Sequence, residues 1–271
     1  MANITLSHKA YVLNSIKNGT GSSVVFLHGM VGSARYWKSI TDIMGGSFHT
    51  IAIDLLGFGD SPKPLEGEYD LDQHVKSVIT TLDSMNIKEP FILVGHSMGA
   101  LIALDLAAKY PKRVSKLVLM GMPVFQNVEE ARKQITRSNL VPKIMYFGPS
   151  GRIVCAIMCK FRPLAQKLVP IYFKHLPKSI AEDSVKHTWY SYSRSMVNII
   201  ENQNVPADLN MLKIPVILLY GKDDLLSKET DIIDLKSGCR DIYLRFLDGT
   251  HQLPIEQPSM MAEIIAKDWV E

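Results

Sequence analysis

The sequence predicts an α/β protein with a mostly parallel central sheet, helices on both faces and one helical insertion. Three observations carry that expectation. Short apolar runs alternate with stretches of helical spacing up to residue 122, the alternation stops between Pro123 and about Asn204, and it resumes from Val216.

Taken in order, the first twenty residues alternate enough to suggest a short hairpin, with Asn18-Gly19-Thr20-Gly21 as its turn. Val24-Val25-Phe26-Leu27 reads as a buried strand that ends in His28-Gly29-Met30-Val31-Gly32-Ser33, and Ala34 to Ile43 as a helix. The strand Thr50-Ile51-Ala52-Ile53 runs into the turn-rich stretch Asp54 to Ser61, and a helix follows from about Leu71 to Met85. Phe91-Ile92-Leu93-Val94 is the next strand, Ala100 to Ala108 its helix, and Lys116-Leu117-Val118-Leu119-Met120 another strand. The middle segment has few β-branched runs and shows helical apolar spacing at Ile153, Ala156, Ile157 and at Met196, Ile199, Ile200. After it come the strand Val216 to Tyr220, a helix near Glu229 to Ser237, the strand Ile242 to Phe246 and a last helix from Pro258. The expected organisation is a core of residues 1–122 and 206–271 with a helical cap at 123–205.

Composition narrows the class. With 271 residues, 46% hydrophobic and 21% charged, the chain is long enough to bury a large core. A net charge of +3 is too mild to argue for nucleic acid. The charge is uneven: Pro123 to Leu209 holds 12 Lys and Arg against 6 Asp and Glu, and the remainder 18 against 21. A solvated helical face accounts for that excess. Cys155, Cys159 and Cys239 make no disulfide framework and fit a reducing compartment. Cys155 and Cys159 share a helical face with β-carbons roughly 6 Å apart, too far for a disulfide, and read as apolar filler. No metal site and no cofactor are expected. Met1 to Leu6 has neither a basic start nor an apolar run, and no stretch is long enough to span a bilayer. The expectation is a soluble, cytoplasmic protein acting on a small molecule, with homo-oligomerisation left open.

The chemistry is organised around Gly95-His96-Ser97-Met98-Gly99, which sits on a strand-to-helix corner. Such a corner lifts a serine hydroxyl clear of the sheet, and the flanking glycines give the turn room to close. Ser97 is the candidate nucleophile. A serine needs a base, and the base needs an acid to hold its tautomer. Asp223 and Asp224 lie at the end of one predicted strand and His251 just past the next, so one aspartate and the histidine converge with Ser97 on the same sheet edge. The backbone amides of Met98 and Met30 are the candidate oxyanion donors. His28 and His96 read as hydrogen-bonded structural histidines, and His74, His175 and His187 show no ligand spacing. Gly57 and Gly59 begin a G-x-G, but Pro62 and the missing helix make the stretch a structural turn. Met30, Met98, Met120 and Met122 fall at strand ends, either as core filler or as a soft acyl pocket.

These motifs resemble those of the α/β-hydrolase superfamily, in its capped, small-substrate branch. The resemblance runs through His28-Gly29 with Gly32-Ser33 and Trp37, Asp54 to Ser61, the serine corner, Gly221-x-x-Asp224, and Gly249-x-His251 with Glu256-x-Pro258. It implies Asp224 rather than Asp223 as the acid, and a helical lid after the sixth strand. It implies an esterase working through an acyl-serine, with C–C bond hydrolase, thioesterase or acyltransferase, and small-molecule receptor as alternatives. Gly29, Met122 and Trp189 are the expected substrate contacts, with Tyr190 and Tyr192 as further lid aromatics.

Overall fold

The computed structural model describes residues 9–137, 149–174, 176–203, 205–237 and 242–267; Cys239 and His175 lie outside them. Seven strands form one sheet: β1 (Ser15–Asn18), β2 (Ser22–Leu27), β3 (Phe48–Ile53), β4 (Phe91–His96), β5 (Val114–Met120), β6 (Val216–Gly221) and β7 (Ile242–Leu247). Their order is β1-β3-β2-β4-β5-β6-β7, and among these pairs only β1 with β3 is antiparallel.

The central strands are continuous apolar runs because helices bury both of their faces. Side chains still alternate between the two cores: Val25, Leu27, Leu93 and Leu117 join one cluster, and Val24, Phe26, Val94 and Val118 the other. The first cluster is closed by α2 (Leu71–Ser84) and α3 (Met98–Lys109), the second by α1 (Lys38–Met44) and α12 (Pro258–Ala266). A 3₁₀ turn, Ala34–Trp37, precedes α1 where the sequence suggested one longer helix.

The expected N-terminal hairpin is absent. β1 and β2 flank the Asn18 to Gly21 turn but do not pair, because β3 lies between them. β2 is buried at four successive residues and takes a neighbour on each side, whereas β1 is largely exposed and suits an edge. The turn hugs the start of β3: a Cβ on Gly19, at φ +74, would lie 2.4 Å from the Phe48 carbonyl oxygen.

Between β5 and β6 the described residues hold no strand. They form α4 (Val128–Arg137), α5 (Pro149–Lys160), α6 (Arg162–Tyr172), α7 (Lys178–Asp183), α8 (Trp189–Ser195), a π-helical turn Met196–Glu201 and α9 (Val205–Met211). Among the described residues this segment follows the fifth strand of the sheet. Met196, Ile199 and Ile200 are buried as their spacing suggests. Ile153 and Ile157, with the same helical spacing, are 60% and 54% exposed. After β6 come α10 (Glu229–Ser237), α11 (Leu253–Glu256) and α12. No helix among the described residues is long and apolar enough to cross a membrane.

Asp54 explains the turn that follows β3. Its carboxylate accepts from the backbone amides of Ala34 at 2.5 Å and Asp60 at 2.7 Å and from Asn14 Nδ2 at 2.8 Å. A Cβ on Gly59 would strike that carboxylate at 2.3 Å, so the second glycine makes room for a structural carboxylate.

Candidate active site

Ser97 caps α3 at φ 53 and ψ −122, a left-handed conformation that costs a non-glycine residue about 1–3 kcal/mol. Its surroundings hold it there. The Ser97 amide donates to the Met120 carbonyl at 2.9 Å, and Cβ atoms on Gly95 and Gly99 would fall 2.4 Å from the Gly99 oxygen and 2.3 Å from the Leu27 oxygen. Only glycines let the strand and helix approach this closely.

His251 follows β7, and its Nδ1 lies 2.8 Å from Asp224 Oδ2. Asp224 Oδ1 accepts from the Leu226 amide at 2.9 Å. Burial raises the pKa of this carboxyl, but the His251 hydrogen bond and charge and the Leu226 amide outweigh it, so Asp224 stays below the ordinary carboxylate value. Asp223 is exposed, with its backbone amide bonded to the Gly249 carbonyl. The structure therefore brings Asp224, and not Asp223, to His251. Glu256 anchors the histidine loop by accepting from the Thr250 amide at 2.8 Å and hydroxyl at 2.6 Å.

Ser97 and His251 line a single cavity of about 230 Å³ together with Gly29, Met30, Tyr36 and Gln252. Leu176, Ile180 and Ser184 close it from the helical segment. Met122 and Trp189 are not part of this lining. Met98, Met120 and Met122 are fully buried in the two cores, so of the four methionines at strand ends Met30 alone reaches this wall. Trp189 instead packs on Tyr192, ring centroids 6.2 Å apart. α8 is fastened to the turn after β3 by Ser191 Oγ donating to the Gly57 carbonyl at 2.9 Å, and the partly buried Trp189 and Tyr190 pack against the first core cluster.

The loop after β2 approaches Ser97 closely. A Cβ on Gly29 would sit 3.0 Å from Ser97 Cβ. His28 Nε2 accepts from the Leu55 amide at 2.9 Å, which leaves the ring proton on Nδ1 to donate to the Gly29 carbonyl at 2.7 Å. The Gly32 amide also donates to that carbonyl, at 3.1 Å. In a trans peptide the next N–H points the opposite way, so fixing the Gly29 carbonyl fixes the direction of the Met30 amide. Val31, at φ 54, is a strained residue on this loop. Burial lowers the His28 pKa, with Asp54 opposing, so the ring is held neutral in this role.

Three positions were not singled out from sequence. Gly121, at φ +54, lies beneath the pair: a Cβ there would be 3.0 Å from His251 Nδ1 and Cε1 and 3.4 Å from Asp224 Oδ2. Tyr36 stacks on His96 and donates to Gln252 Oε1 at 3.0 Å. His96, whose pKa burial and the neighbouring His251 lower to about 3, is neutral and donates from Nε2 to the His251 carbonyl at 2.8 Å. The one signal available was a glycine directly after a strand on the reactive edge; Tyr36 and Gln252 carry none. Among the described residues no group of three or more His, Cys, Asp or Glu is placed to hold a metal ion.

The comparisons agree with this architecture. Residues 22–142 match the family model of the alpha/beta hydrolase fold. The "Probable lysophospholipase BODYGUARD 4" of Arabidopsis thaliana is 33% identical over 198 residues, 69% of this chain and 48% of that protein. A 2-hydroxymuconate semialdehyde hydrolase of Pseudomonas sp. (strain CF600) is 37% identical over 107 residues, 38% of each chain. The chain spans about half the length of the plant relatives it matches. The crystal structure of E-2-(acetamidomethylene)succinate hydrolase superposes with a TM-score of 0.73 over 93% of both chains at 18% identity, a likeness of fold. The chain belongs to the α/β-hydrolase superfamily.

Proposed function

We propose that this hydrolase cleaves small carboxylic esters through an acyl-serine intermediate, with Ser97, His251 and Asp224 as its catalytic triad. The observation that carries the reading is the strained Ser97 sharing one cavity with His251, whose other ring nitrogen is bonded to the buried Asp224. Ser97 Oγ attacks the acyl carbon while His251 Nε2 takes its proton. The bond to the leaving alcohol then breaks as the imidazolium returns that proton to the alcohol oxygen. Water repeats the sequence and frees the acid. Asp224 keeps the Nδ1–H tautomer and stabilises the imidazolium. The amides of Met30 and Met98 hold the oxyanion, each such donor being worth about 10²–10³ in rate.

In this reading residues 123–205 act as a cap over a core of 1–122 and 206–271, with Leu176 and Ile180 set against the acyl group. A cavity of about 230 Å³ lies below the roughly 300–1,000 Å³ of drug-sized ligand sites and suits a short acyl chain. The plant relatives named as probable lysophospholipases support ester cleavage, and the Pseudomonas semialdehyde hydrolase supports C–C cleavage as the second reading.

The test is steady-state hydrolysis of p-nitrophenyl esters from acetyl to decanoyl, beside ring-cleavage dienones. Rapid turnover of short esters by the wild type and none by Ser97→Ala is the expected result; turnover of dienones alone would replace ester with C–C cleavage.

A further inference from the structure

We propose that the outward face of α5 and α6 docks on an anionic phospholipid surface. The basis is a helix laid on the protein that keeps a second apolar stripe turned outward. Arg162 and Gln166, one turn apart on α6, hold it to the body of the protein: Arg162 Nη2 donates to the His187 carbonyl at 3.0 Å and Gln166 Nε2 to the Glu182 carbonyl at 3.5 Å. No residue of α6 is buried. Leu164, Leu168 and Ile171, spaced i, i+4, i+7, are 56%, 44% and 59% exposed. A surface helix of a globular protein ordinarily does the reverse and turns such a stripe to the core.

α5 repeats the arrangement. Ile153, Ala156, Ile157 and Lys160 share one helical face and all are exposed, and Phe161 at the junction of the two helices is 52% exposed. Exposed apolar side chains repeated along two successive helices mark an interaction site.

Charge identifies the occupant. Residues 149–178 carry Arg152, Lys160, Arg162, Lys167, Lys174 and Lys178 and no acidic residue. Lys160 and Lys167 stand on the faces that bear the exposed leucines and isoleucines. Long cationic side chains beside a large apolar stripe form the pattern of a helix lying in a membrane interface, with aliphatic stems among the acyl chains and ammonium groups at the phosphates. A second copy of this chain is a poor occupant, because a two-fold interface sets the patch against itself and lysine against lysine. The same stretch of chain supplies Leu176 and, on α7, Ile180 to the cavity wall. A docked lipid surface thus lies against the segment that closes the candidate site. The inference stands on this surface alone and does not depend on the triad.

The experiment is co-sedimentation of the full chain with vesicles of phosphatidylcholine alone and of an equimolar mixture with phosphatidylglycerol. The account expects the wild type to bind the mixed vesicles and to be released by salt. Lys160→Gln with Lys167→Gln should weaken partitioning roughly tenfold to thirtyfold, at about 1 kcal/mol per cation, and Leu164→Ser with Leu168→Ser should weaken it at least about tenfold. All variants should keep the wild-type melting temperature and the same rate on a soluble short-chain ester, since these side chains are exposed. Equal binding to both vesicle types, unaltered binding by either double variant, or a concentration-dependent dimer that the leucine variant dissociates overturns the proposal. A wild type inactive on esters that still binds mixed vesicles leaves it standing and refutes only the proposed reaction.

Discussion

Gly121→Ala tests how the candidate site is held together. The new methyl would lie 3.0 Å from His251 Nδ1 and Cε1 and 3.4 Å from Asp224 Oδ2, on a backbone at φ +54. Contact at 3.0 Å is several tenths of an ångström too close, so the imidazole must tilt away from it. The alanine also occupies the left-handed region, at about 1–2 kcal/mol. A misplacement of 1 Å is worth about 10²-fold in rate, so a shift of about half that predicts kcat/KM falling roughly tenfold. The loss should fall on kcat, because the rest of the cavity wall is unchanged. Gly46→Ala is the control: no atom lies within 4 Å of a Cβ there and its φ is not positive, so its stability and rate should stay within about 1 kcal/mol of wild type. Both variants need a thermal melt and a kcat and KM on one short ester. Gly121→Ala with wild-type kcat would show that His251 is not held from beneath in the way described.

Three further outcomes follow from the same geometry. Asp224→Asn should lower kcat by about 10⁴, the effect of losing the orienting carboxylate in such triads, while Asp223→Asn should stay within about twofold of wild type because that side chain is exposed. Asp183 ties α7 to the loop after β2 through Ser33 Oγ at 2.6 Å and Arg35 Nε at 2.6 Å. Burial raises its pKa, but the Arg35, Ser33 and Lys186 hydrogen bonds more than offset this and leave it lowered. Its contribution is therefore present above the unfolded carboxylate value of about 3.9 and is lost as pH falls through the lower folded value. Asp183→Asn should cost roughly 2–3 kcal/mol at pH 7 by denaturant melt, less than a fully buried pair because Arg35 can rehydrate, and should flatten the acid side of the stability curve. Ile180→Ala enlarges the cavity wall and should shift the preferred acyl chain longer; an unchanged preference in the p-nitrophenyl series would remove Ile180 from the acyl site.

Much of this was legible before any coordinates. Parallel strands buried on both faces must be unbroken apolar runs, which is why Val24 to Leu27 and Val216 to Tyr220 are visible as strands. The serine corner is visible because its glycines are required by contacts of 2.3–2.4 Å. What was not legible depends on partners remote in sequence. β1 has the same local pattern whether it pairs with β2 or β3. The neighbouring Asp223 and Asp224 have no local pattern that separates them, and only the family resemblance chose Asp224. Gly121 matters because residues more than 100 positions away lie on it. Apolar spacing marks α5 and α6 as helices, yet it is silent on the direction of their apolar faces, and there the ordinary expectation of burial fails at Ile153, Ile157 and Leu164.

Activation of Ser97 by His251 is tested by intact-mass measurement after exposure to a fluorophosphonate. One covalent phosphonyl group is expected, mapped to Ser97 by peptide sequencing, with labelling abolished in Ser97→Ala and strongly slowed in Asp224→Asn. A wild type that stays unlabelled while folded, or that carries the group on another residue, would contradict it.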